Sequence, residues 1–199
     1  MGTYDMLVHL DLETTGLNVR RSAILEVGAI ATTTELESVA WFHRLTAPKG
    51  VALQTLADRM VPKVRDMHRD SGLWADLEQS WPVSDQFAVD EDLWQWLARL
   101  KSKHGARLVL CGSGSERFDR QLLESWMPRS AAQLHYAGAD VSSVRMMAGW
   151  WAPGLVEMLQ AERAGNPVPH RALRDVECGL AQMRLLREMF VGLAATSNP

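Results

Sequence analysis

Cysteine is almost missing from this sequence. Cys111 and Cys178 are the only two in 199 residues, and they form neither a CxxC pair nor a metal-spaced set. That excludes a disulfide framework and a thiolate zinc site, and a reducing cytoplasm fits such a chain. An excess of positive charge is missing as well. Lys and Arg total 21 against 24 Asp and Glu, a formal net charge of −3. No broad basic face is therefore available to grip long duplex by counterion release, and a nucleic-acid substrate would have to be held locally, at a cleft. No apolar run approaches the ~20 residues a membrane helix needs. The opening MGTYDMLVHLD lacks the basic region and apolar stretch of a signal peptide. We expect a soluble, unprocessed protein. Repeats, low-complexity tracts and linkers are absent too, so one α/β domain over residues 1–192 is expected, with a short polar tail at 193–199. What is abundant is apolar: 47% of residues are hydrophobic and eight are Trp, which indicates a well-buried globular chain.

Met6, Val8, Leu10 and Leu12 alternate with Asp5, Leu7, His9, Asp11 and Glu13, mostly the period of a half-buried strand. Thr14 to Asn18 make a turn. Strand-like runs follow at Ile24 to Thr32 and Val39 to Thr46, suggesting an antiparallel meander. Leu53 to Gln79 looks helical in pieces broken at Ser71-Gly72, and Trp81-Pro82 opens an irregular connection. Asp90 to Lys103 carries Leu93, Trp94, Leu97 and Leu100 at helical spacing, with Gly105 as its stop. Arg107 to Gly112 reads as a buried strand, Glu116 to Trp126 as a helix halted before Pro128, and His135 to Val141 as a last strand. Short helices lead to the loop Gly165 to Pro169, and Arg171 to Phe190 forms the final helix. The expectation is a mixed five-stranded sheet flanked by helices.

Four carboxylates and a histidine stand where they do not serve stability. Asp11 and Glu13 lie two apart on one strand, so both project to one face, roughly 6–7 Å apart. They repel unless a cation or proton lies between them. A solvated strand face is the alternative, weakened by the Thr-Thr-Gly turn that puts the pair at a strand end. Asp119 shares a helix face with Leu122, Leu123 and Trp126, so it points inward and needs a partner: Arg117, Arg120 or a metal. His170 and Asp175 would lie roughly 140° apart on a continuous helix. Pro167 and Pro169 disfavour helix before them, so His170 can sit on the loop or first turn while Asp175 lies inside the helix beside Ala172, Cys178 and Gly179. Here the alternative makes His170 an exposed loop residue and Asp175 a partner of Arg171. Acids from three elements suit a carboxylate cage for Mg²⁺ or Mn²⁺. Two such ions suit phosphodiester hydrolysis, with His170 as general base.

The motifs DLETTGL (Asp11 to Leu17), FDRQLLESWMP (holding Asp119) and HRALRD (His170 to Asp175) resemble, in order, the three exonuclease motifs of the DEDDh (DnaQ-like) superfamily. HRDSGL at His68 to Leu73, LCGS leading to Asp119, and HYAGADVSSV at His135 to Val144 are similar to the oligoribonucleases within it. The likeness runs from Leu7 to about Phe190. It implies an RNase H-like fold, a homodimer, and removal of nucleotides from the 3′ end of short single-stranded RNA by a two-metal-ion mechanism. Asp11, Glu13, Asp119 and Asp175 would be the metal ligands and His170 the base. His68 and Ser113 would lie near substrate phosphates, Leu17 beside the terminal bases, and Tyr136 would reach a site across the dimer. His68 could otherwise simply lie on a polar helix end. Thr14 stands where oligoribonucleases carry Met, and residues 76–90 have no counterpart in them. The rival readings are the same chemistry on DNA or longer RNA ends, and a non-catalytic module that binds nucleic-acid ends.

Overall fold

The computed structural model describes residues 4–114, 117–165 and 170–196. In chain order these form β1 (Tyr4–Thr14), β2 (Ile24–Thr32), β3 (Ser38–Ala47), α1 (Leu53–Arg59), α2 (Pro62–Asp70), α3 (Leu73–Ser80), β4 (Ser84–Asp85) and α4 (Gln86–His104). Then come β5 (Ala106–Gly112), α5 (Asp119–Trp126), α6 (Pro128–Ala131), β6 (Ala139–Asp140), α7 (Val141–Trp151), α8 (Pro153–Gly165) and α9 (Ala172–Thr196). The sheet runs in the order β4-β3-β2-β1-β5-β6. β1, β2 and β3 form the antiparallel meander, and β5 joins β1 in parallel.

Strand alternation decides which helix each face receives. Met6, Val8, Leu10 and Leu12 of β1 enter the main core with Leu93 and Leu97 of α4 and Leu122 and Leu123 of α5. Leu7 faces the other way, where Ile30 and Leu36 meet Val176, Leu180 and Leu173 of α9. Each fully buried aliphatic side chain contributes about 1.5–3 kcal/mol, so this stripe fixes α9 on the sheet more than helix propensity does. By the same alternation, Asp11 and Glu13 come to lie on the α9 face, at the C-terminal end of β1. β2 is buried along its whole length because helices cover both of its faces.

α4 begins at Gln86, four residues before the expected Asp90. Asp85 caps it by accepting from the backbone N–H groups of Phe87 (3.0 Å) and Ala88 (2.9 Å). Gly105 closes it in the left-handed conformation at φ 59°. The sheet differs from the expected one by a sixth strand. β4, two residues long, pairs in parallel with the end of β3 inside the segment read as an irregular connection. The expected strand at His135 to Val141 contracts to β6, preceded by an isolated bridge between Leu108 and Leu134. Glu116, Pro167 and Pro169 lie outside the described residues. α9 continues to Thr196, into the expected tail, whose last three residues are also outside them. Among the described residues no helix is long and apolar enough to cross a membrane.

Candidate active site

The turn after β1 is fastened by its own side chains. Thr14 Oγ1 donates to the Gly16 carbonyl at 2.7 Å, and Thr15 Oγ1 accepts from Ala23 N–H at 2.9 Å. Asp11 and Glu13 are thus held at a strand end. Across the sheet, Asp11 pairs with Gly28 and Glu13 with Glu26. Gly28 is what lets α9 come so close. A Cβ there would fall 2.6 Å from the carbonyl carbon of Ala172 and closer still to the Leu173 nitrogen. The start of α9 therefore rests directly on β2, beside the two acids. His170 precedes the helix by two residues in the left-handed region at φ 50°, exposed, while Asp175 sits in the helix's first turn with its N–H bonded to the Arg171 carbonyl at 2.8 Å.

This arrangement brings the expected residues together. Glu13, His170 and Asp175 each offer a ligand atom, and these atoms lie within 4.8 Å of one another. Asp11, His170, Asp175 and Ser113 line one cavity of about 240 Å³, with His9, Arg145 and Gln182 on its walls. Asp119 approaches from the opposite helix layer at the start of α5, buried. A cluster of carboxylate oxygens with one imidazole at its edge suits a hard divalent cation.

The electrostatics agree. Burial, then the charges of Asp175 and Glu26, push Asp11 from its ordinary 3.8 up to about 8. Burial, then Asp11, Asp175 and Glu26, push Glu13 from 4.5 up to about 9, with Arg171 opposing. Asp119 is raised by burial and then by Asp11, Glu13 and Asp140. Burial first, and mutual repulsion after it, raise all three carboxyls, as expected of acids gathered in one poorly solvated space.

Glu26 was not anticipated. It is buried, yet it stays ionised below its ordinary range. Burial works to raise it, and this is more than offset by hydrogen bonds from His43, Arg171 and the Ala172 N–H. Arg171, considered above as a partner for Asp175, binds Glu26 at 2.9 Å and Asp76 at 2.7 Å. His9 was also missed. It is buried with Nε2 3.0 Å from Thr32 Oγ1, and burial, reinforced by Arg184, lowers it to about 4, so it is a neutral wall of the cavity. No motif spacing marks either residue; only strand parity places His9 and Glu26 on the face of Asp11 and Glu13.

His68 is fully buried, not on a polar helix end. Its Nε2 donates to the Thr14 carbonyl at 2.8 Å and its Nδ1 lies 3.8 Å from Glu13. The ring has no exposed surface and braces the turn behind the acids through this contact. Leu17 is 84% exposed and lines a second cavity. Ser113 is on the loop fastened by the Gly114 N–H to Asp140 at 3.0 Å. Tyr136 is exposed, its ring tilted by 44° against that of His135, and it lines neither of these cavities.

The same fold is found in solved structures of exonuclease I. The Escherichia coli enzyme, in a zinc-bound complex with single-stranded DNA, superposes with a TM-score of 0.64 at 15% identity over 94% of this chain. The Methylocaldum szegediense enzyme gives 0.58 at 18% identity over 92%. This chain spans 41% and 40% of those chains. Residues 8–182 match the RNase T exonuclease family, and the chain belongs to it. The protein is an exonuclease, of a family that uses divalent metal ions. Among its relatives are the oligoribonucleases of Streptomyces coelicolor, 34% identical over 92% of this chain and 86% of theirs, and of Tropheryma whipplei, 32% identical over 93% of each.

Proposed function

We propose that this protein is a 3′-to-5′ exoribonuclease that shortens single-stranded RNA of a few residues to 5′ mononucleotides, using one catalytic domain over residues 1–192. The observation that carries this reading is the convergence of Asp11, Glu13, Asp119 and Asp175 beside His170. The preference for short RNA is supported by relatives named oligoribonucleases that align over nearly their whole length.

Asp11, Glu13, Asp119 and Asp175 would hold two Mg²⁺ or Mn²⁺ ions. When bound, these supply charge neutralisation at the phosphate and leaving 3′ oxygen and make water easier to deprotonate. The chain's own residues do the rest. His170, exposed at the cavity edge and within reach of Glu13 and Asp175, takes the proton of the attacking water and passes it to solvent. Ser113 meets a phosphate on the cavity wall, Leu17 packs against a terminal base, and His68 steadies the turn that carries Leu17. Exposed Trp150, Trp151, Phe190 and Val191 on α7 and α9 support a homodimer, across which Tyr136 would act.

A second reading, hydrolysis of longer strands or DNA ends, is favoured by the cavity beside Leu17. Among the described residues its lining includes Arg21, Arg59 and Lys63 and no acid, which suits additional backbone phosphates. Labelled 2-mer, 5-mer and 20-mer RNA and DNA, incubated with Mg²⁺, Mn²⁺ or chelator, separate the readings. Loss of single 3′ nucleotides fastest from the RNA 2-mer and 5-mer, abolished by chelator, is expected. Preference for either 20-mer would favour the second reading, and chelator-resistant cleavage would refute both.

A further inference from the structure

We propose that Glu26 is a positioning residue. From inside the sheet its carboxylate fixes where His170 and the first turn of α9 sit against Asp11 and Glu13, and Arg171 extends that hold to α3 through Asp76. The inference rests on the reading of His170 as the base.

Glu26 faces Glu13 across β1 and β2, and like charges placed directly opposite destabilise a sheet. A buried carboxylate so placed would take a proton unless several donors converged on it. They do. His43 Nε2 donates at 2.7 Å, Arg171 Nη2 at 2.9 Å and Nε at 3.1 Å, all to Oε1, while Ala172 N–H donates to Oε2 at 2.9 Å. Three of these four donor groups belong to the two residues immediately after His170. Ala172 N–H is the first amide of α9, one of the donors that a helix start leaves without an intrahelical partner. Glu26 thus caps α9 from another strand, with its negative charge at the positive end of the helix dipole.

The grip begins one residue from the imidazole. His170 itself stands in the left-handed conformation, where a histidine pays a small conformational penalty and needs its neighbours fixed to keep its ring in one place. On the outside, Arg171 Nη2 also reaches Asp76 Oδ2 at 2.7 Å. Glu26 is 1% exposed and Asp76 46%, so the arginine spans from the interior to the surface. Asp76 opens the segment that has no counterpart in the oligoribonuclease pattern, and through this contact the segment braces the loop that bears the base.

The test is Glu26→Gln, which keeps shape and one carbonyl oxygen but removes the charge. We expect kcat to fall about 10- to 100-fold with KM changed by less than about threefold, because the loss is of orientation rather than binding. In a His170→Ala background the same change should cost less than about twofold, since there is no base left to position. A merely structural role would lower both backgrounds equally. Read without substrate or metal, hydrogen exchange of the α9 amides 172–176 should accelerate about tenfold in Glu26→Gln. Asp76→Asn should shift kcat and exchange in the same direction by about two- to threefold. It is half exposed, so it serves should Glu26→Gln fail to fold. Wild-type kcat and exchange in both variants, or full additivity with His170→Ala, would overturn the proposal. A wild-type protein inactive with both metals would refute the base assignment, while the exchange measurement still decides whether Glu26 holds α9.

Discussion

Glu13 and Glu26 face each other across two strands in opposite states of charge. Donors from three residues hold Glu26 ionised, while Glu13, hemmed in by burial and by Asp11, Asp175 and Glu26, keeps its proton up to about 9. A fixed anion beside protonatable acids is a site waiting for positive charge. Replacing one of those acids should therefore cost function without costing the fold: Asp11→Asn should abolish hydrolysis while its metal-free melting temperature stays level or rises. His170→Ala should reduce kcat roughly 10²- to 10⁴-fold with KM nearly unchanged, measured on a labelled RNA 5-mer. An equal loss of binding would argue against a base. The acids and His170 were legible in the sequence because each sits in a short motif. Glu26 was not, because its partner Arg171 lies 145 positions away and LEV inside an apolar run carries no motif.

At the scale of elements, the approach of α9 to β2 decides whether the motifs meet. Gly28→Ala would drive a methyl group into the backbone of Ala172 and Leu173, so the helix start must shift. We expect a destabilisation of about 1–3 kcal/mol in urea unfolding and at least about a tenfold loss of kcat. Unchanged kcat and stability would mean that the close approach is dispensable. The long strands and α4 were legible because alternation and helical spacing persist over many residues. β4 was not, since two residues show no period and only the neighbouring strand's unpaired edge makes it a strand, while β6 was expected but longer than the two residues that pair. The early start of α4 turns on one side chain, Asp85, whose capping role shows only once the preceding chain is extended.

Over the whole molecule the formal charge is only −3, yet the carboxyls of Asp11 and Asp175 line one cavity and Glu13 lies within 4.8 Å of Asp175. The consequence is a pH dependence of stability opposite to that of ordinary acid denaturation. Asp11 and Glu13 bind protons more tightly folded than unfolded, so their stabilising contribution is complete below about pH 4 and is lost as pH rises through about 8 and 9. The metal-free protein should therefore melt at progressively lower temperature across that window, Asp11→Asn should flatten the trend, and Mn²⁺ should stabilise most at its upper end. All of this depends on the acids forming one cation site. The most direct test is calorimetric titration of Mn²⁺ into metal-free protein near pH 7, in two buffers of different ionisation enthalpy. The account requires saturable binding with proton release, weakened at least about tenfold in Asp175→Asn. Absence of saturable binding, or binding unaltered in both Asp11→Asn and Asp175→Asn, would contradict it.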